Sequence, residues 1–93
     1  MKNTITLRKL GKYFSLTSSA LKIAEKSVVK GKQKQAEEIF RMVSDYLSDA
    51  KYFEKNGNFV NAFAALNYAH GWLDAGVRLE VFDVTDGKLF TIK

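Results

Sequence analysis

From Gly57 to Leu79 the chain reads GNFVNAFAALNYAHGWLDAGVRL, a stretch with helical spacing and almost no polar side. Phe59, Ala62, Leu66, Ala69, Leu73 and Gly76 recur every three or four residues, which sets them on one stripe of a helix. Ala64, Ala65, Tyr68, Gly71, Trp72 and Ala75 make a second small-and-aromatic surface, leaving only Asn67, His70, Asp74 and Arg78 for a polar strip. A helix with two apolar sides must lie at the centre of its fold or be covered by a partner.

Two further segments share the spacing. From residue 7 the stripe runs Leu7, Leu10, Phe14, Thr17, Leu21, Ala24 and Val28, with Lys9, Lys12, Lys22, Lys26 and Lys30 mostly off it. The pattern predicts a helix over about 4–29, capped by Asn3, Thr4 or Thr6 and stopped by Gly31. A second helix is predicted over about 32–55, with Ala36, Ile39, Phe40, Val43, Leu47 and Ala50 inward and an Arg41, Asp45, Asp49 ladder outward. Asn56-Gly57-Asn58 then joins a stop to a start, so the third helix, over about 58–79, must fold back antiparallel. The tail, 81–93, changes period. Asp86-Gly87 is a hairpin-turn signal between β-branched and aromatic residues, so Phe82, Val84, Leu89, Phe90 and Ile92 are expected to pack on the bundle or on another subunit.

These elements describe one all-α domain, a three-helix up-and-down bundle with a short extended or hairpin tail. The chain of 93 residues is long enough for one core and carries no proline or linker-like tract. With no cysteine it has no disulfide or thiolate site, and no stretch approaches the roughly 20 apolar residues of a membrane span. The expected location is the cytoplasm, away from any membrane. Residues 1–34 hold nine Lys or Arg against the single acid Glu25, a charge of +8, while the remainder, with six basic and nine acidic side chains, is −3. Such a basic segment either solvates one face of its helix or attracts a polyanion.

At the third helix the residues become specific. Tyr46-Leu47, Asp49-Ala50 and Asn61-Ala62, followed by YAHGWLDAG over residues 68–76, resemble the archaeal domain of unknown function 357. The resemblance implies a three-helix bundle and no known activity. One departure is Glu80, where members of that family tend to place a glycine. A weaker likeness, of Gly57-Asn58-Phe59 with Ala62, Leu66 and Ala69 to a tetratricopeptide hairpin, covers one unit where an array needs about three.

Candidate chemistry centres on His70, the only histidine, with Asp74 one helical turn later. A metal would need a third ligand, from Asp45, Asp49 or another helix. The arginine that helical nucleases of the HEPN type place just before their histidine is absent, and no glycine-rich phosphate loop occurs. Ser18-Ser19 falls inside the first helix and has no nucleophile context. Tyr13, Phe14, Tyr46, Tyr52, Phe53, Phe59, Tyr68 and Trp72 are expected in the core, with Phe63 placed near the polar strip. The chain therefore reads as a non-enzymatic module without cofactor or metal, acting through protein contact or self-association. Its contact candidates are Phe63, Asn67, His70, Asp74 and Arg78. The alternative is RNA or polyanion binding through Arg8, Lys9, Lys12, Lys22, Lys26, Lys30, Lys32 and Lys34, and an enzyme built on His70 and Asp74 is a distant third.

Overall fold

The computed structural model describes residues 6–85, 87, 89 and 90. Three helices follow in chain order, α1 (Leu7–Glu25), α2 (Gln33–Lys55) and α3 (Phe59–Arg78). Among the described residues none of them is long and apolar enough to cross a membrane. The helices pack on one another as an all-α bundle, with α3 in the centre, lying along α2 and α1, which themselves touch little.

Thr6 is the cap of α1, its Oγ1 accepting from the Lys9 amide at 3.1 Å. Asn3 and Thr4, the other candidate caps, lie outside the described residues. The helix ends at Glu25 and not near residue 29, and Gly31, in the left-handed region at φ 90°, lies beyond it in the connector. A long-range pairing accounts for the early stop. Val28 forms an antiparallel bridge with Phe82, the Val29 amide donates to Val81 O and the Asp83 amide to Ser27 O, both at 2.8 Å. Ser27 Oγ also donates to Ile23 O at 2.6 Å, closing the last turn with a side chain. The β-branched pair Val28-Val29 suits this extended backbone.

The joint between α2 and α3 follows the expected chemistry. Gly57, at φ 75°, donates its amide to Glu54 O at 3.0 Å, and the Asn58 amide donates to Phe53 O at 2.8 Å. These are the two bonds of a Schellman stop. The Asn58 side chain then accepts from the Asn61 amide at 3.3 Å and starts α3. The same pair of bonds closes α3, from Glu80 N–H to Val77 O at 3.1 Å and from Val81 N–H to Gly76 O at 2.8 Å. Here Glu80 holds the left-handed position, at φ 62°.

Small residues set the core. Ala20, Ala24, Ala36, Ala50, Ala62 and Ala69 are buried with Leu10, Ile39, Val43, Leu66 and Leu73, so the helix axes approach closely. Val81, Phe82 and Phe90 close one end, and Phe40 stacks on Phe82 with ring centroids 5.3 Å apart. Thus the described part of the tail packs on its own bundle and borrows the α1–α2 connector as its pairing partner. Asp86, of the expected turn, and Ile92 lie outside the described residues. Leu7, inward in the expected stripe, is exposed, and Ala20 takes a buried place that the stripe omitted.

Candidate functional site

Around α3, at about 100° per residue, three sectors differ in what they meet. One sector, with Ala62, Ala65, Ala69 and Gly76, lies against α2. A second faces α1 and the tail and holds the polar strip. The third is largely bare and touches α2 along one edge, where Tyr68 stacks on Tyr46.

On the α1 side, Asn67, His70 and Asp74 line a pocket of about 330 Å³ together with Tyr13, Thr17 and Leu89. The imidazole spans the gap between helix and tail. Its Nε2 lies 2.5 Å from Leu89 O and its Nδ1 3.0 Å from Thr17 Oγ1. A carbonyl only accepts, so Nε2 carries the proton, and in the neutral ring Nδ1 accepts from the Thr17 hydroxyl. Thr17, at 1% exposure, is a polar residue on a core stripe and so required a partner. That requirement was the signal in the sequence for the Thr17–His70 pair, which spacing along a single helix cannot reveal. Leu89 gave no such signal, because it contributes only its carbonyl.

The arrangement is that of a clamp between α1, α3 and the tail. Both imidazole nitrogens are spent on fixed protein groups, which leaves neither directed at the pocket as a base. Asp45 and Asp49 are exposed on α2, across α3 from His70. Among the described residues, no three His, Asp or Glu side chains assemble into a set suited to a metal ion. The Asp45 ladder also differs from expectation, since Arg41 pairs at 3.9 Å with Glu38, both exposed, where a few tenths of a kcal/mol is the usual worth.

Phe63 stands beside this pocket but is not a bare contact. It is half-buried, edge-on to Tyr13 with centroids 5.0 Å apart, and the Lys9 ammonium lies 5.6 Å above its ring. Arg78 is exposed one turn past Asp74 and outside the pocket.

The third sector of α3 carries Val60, Ala64, Tyr68, Gly71, Trp72, Ala75 and Leu79. Val60, Tyr68 and Leu79 are more than 60% exposed and Trp72 is 37% exposed, so these aromatics are not core as expected. At about 100° per residue they lie off the buried Ala62, Ala69 and Leu73 stripe. Tyr68 leans on Tyr46 of α2, centroids 5.4 Å apart, and a shallow depression over Gly71 is walled by Asn67, Tyr68, Trp72 and Ala75. Val60 and Leu79 extend this face at both ends and were not among the expected contact residues. Tyr52 is likewise exposed, on α2.

The basic candidates divide. Arg8, Lys12, Lys22 and Lys26 are exposed and, at about 100° per residue, fall within about 40° of one line along the outer side of α1. Lys9 turns away to Phe63. Lys30, Lys32 and Lys34 belong to the connector and the first turn of α2, with Lys32 half-buried as the cap residue.

A family model described as a protein of unknown function, DUF357, matches residues 12–82, which takes in most of α1, all of α2 and α3, and the tail as far as Phe82. No curated protein and no solved structure matches the chain.

Proposed function

Since the chain belongs to the DUF357 family, whose description assigns no activity, we propose a function from its own surface: a non-enzymatic helical module that works by protein contact through the outer face of α3. One observation carries this. Val60, Tyr68, Trp72 and Leu79 stay exposed along a single helix face, interleaved with Ala64, Gly71 and Ala75. Contiguous apolar surface of that kind is disfavoured on a free monomer and is typical of contact sites. Tyr and Trp are also the side chains that most often anchor such contacts. An archaeal, cytoplasmic setting belongs to the same proposal, supported by the family resemblance and the cysteine-free composition.

The alternative reading, polyanion binding, is favoured by the alignment of Arg8, Lys12, Lys22 and Lys26 on the side of α1 away from its buried stripe. A photo-reactive amino acid placed at Trp72 or at Lys12 in living cells separates the two. Protein adducts from position 72, with none from position 12, support the contact module. Nucleic-acid adducts from position 12 with nothing captured at position 72 overturn it.

A further inference from the structure

Between α2 and α3, where the bare face meets its neighbour, lies a further hollow of about 300 Å³. Tyr46, Asp49 and Phe53 line it from α2, and Asn61, Ala65 and Tyr68 from α3. Its walls therefore combine three aromatic rings with a carboxylate. Tyr46 and Tyr68 stack with centroids 5.4 Å apart and planes 25° from parallel, so the two make one extended π surface beside the acid. Asp49 is exposed, and among the described residues no Lys or Arg pairs with it. Asp45, one turn earlier and about 40° away around α2, is equally without an ion pair there and adds to the negative field.

This carboxylate restricts what can cover the hollow. Tyr68 belongs both to the hollow and to the bare face, so a partner that buries its ring comes up against Asp49. An apolar group placed there would strip water from the carboxylate and return nothing for it. An anion would be repelled. A cation is attracted twice, by the carboxylate and by the negative faces of the rings.

We propose that the partner of α3 is a protein that presents an arginine at this point, its guanidinium stacked on the surface of Tyr46 and Tyr68 and its fork on Asp49. The proposal rests on the contact-module reading and supplies the chemistry of the partner. Arginine suits the hollow better than lysine, because its plane lies flat on a ring while its fork meets both carboxylate oxygens. The guanidinium has five N–H donors, of which the carboxylate takes two, so one is left for Asn61 Oδ1 on the α3 wall.

Titration of the isotope-labelled chain with Nα-acetylarginine amide, and with its lysine and citrulline counterparts, tests the site by NMR shifts. Citrulline keeps the shape of arginine and lacks the charge. Saturable shifts at Asp49, Asn61 and Tyr68 are expected with the arginine compound, at a Kd on the order of a few millimolar. Weaker binding is expected with the lysine compound and none with citrulline. Asp49→Asn should weaken the arginine compound by about fivefold or more, and Asp45→Asn by less than about twofold, since it leaves the paired carboxylate in place. Asp49 is exposed, so its substitution disturbs no core contact. In living cells Asp49→Asn should also reduce the protein adducts captured from position 72. Equal shifts from arginine and citrulline, or none at about 50 mM, overturn the proposal. Position-72 adducts that Asp49→Asn leaves unchanged also overturn it, and the contact module then stands without a basic anchor. Arginine-selective shifts with no protein adduct from position 72 would instead remove the contact module, and the proposed partner with it.

Discussion

The Phe82 ring lies directly on the backbone of Gly76. A Cβ at residue 76 would sit 2.6 Å from Phe82 Cδ2, closer still to Cε2, and 3.1 Å from Ile39 Cδ1. This contact lets the tail seal the end of the bundle, where Phe82 is 2% exposed and stacks on Phe40. It also ties α3 to the α1–α2 connector, because the Val28 bridge is made by the same residue 82.

Two glycines in helices should therefore respond oppositely to alanine. Gly11→Ala, where the new methyl meets nothing within 4 Å, should raise stability by up to about 1 kcal/mol through helix propensity. Gly76→Ala makes the same propensity gain but must displace a buried ring, at about 1–3 kcal/mol, so a net loss is expected. Urea unfolding of both variants checks the signs; a stabilised Gly76→Ala would mean that Phe82 is free to move aside.

Glu80 is the second point of tension at this end. It takes φ 62° to complete the stop of α3, a region that costs a side-chain-bearing residue about 1–2 kcal/mol. Glu80→Gly relieves that cost and restores the residue that the resemblance expected. Part of the gain is lost to the greater freedom of glycine in the unfolded chain. The net expectation is about 0.5–1 kcal/mol of added stability and a correspondingly higher Tm. An unchanged or lower Tm would show that the contacts of the glutamate outweigh the backbone strain.

What the sequence disclosed follows from the range over which each feature is decided. The α2–α3 joint was legible because Asn56, Gly57 and Asn58 act on their immediate neighbours. The end of α1 was not, because Val28 leaves the helix to pair with Phe82, a residue more than fifty positions away. Periodicity separated the two apolar sides of α3 except at Ala65, which it set on the outer surface and which packs in the core against α2, and residue type alone misplaced Tyr68 and Trp72 in the core. Aromatic character shows that a side chain has area to bury, and says nothing of whether its own fold buries it. For the polar strip, spacing grouped Asn67, His70 and Asp74, but the partners of the imidazole come from α1 and from a tail carbonyl.

That imidazole should govern the tail more than it governs α1. His70→Leu removes the donor to Leu89 O and leaves the buried Thr17 hydroxyl to bond its own preceding turn, for a loss of about 1–3 kcal/mol. Thr17→Val removes only the hydroxyl, and the half-buried ring can take a water instead, so about 1 kcal/mol is expected. Limited chymotrypsin digestion separates the roles. Cleavage at Phe90, which is 4% exposed in the native chain, should accelerate in His70→Leu and stay near the native rate in Thr17→Val. Equal rates in the two variants would place the hold on the tail in its apolar contacts alone.

The basic line on α1 is expected to contribute little to folding. Arg8, Lys12, Lys22 and Lys26 are all exposed, and Lys12→Gln with Lys22→Gln should change stability by no more than about 0.5 kcal/mol. If these four side chains contact a single-stranded RNA backbone, the logarithm of affinity should fall with the logarithm of salt at a slope of about −3. Removing two contacts should halve that slope, to about −1.5, without changing the preference among bases, because phosphate contacts position a strand and do not read it. Titrations of a homopolymer such as poly(U) against salt, with poly(A) for comparison, measure both quantities. Absence of binding at about 50 mM salt, or a slope indifferent to the two substitutions, would assign the line to solvation of the helix face alone.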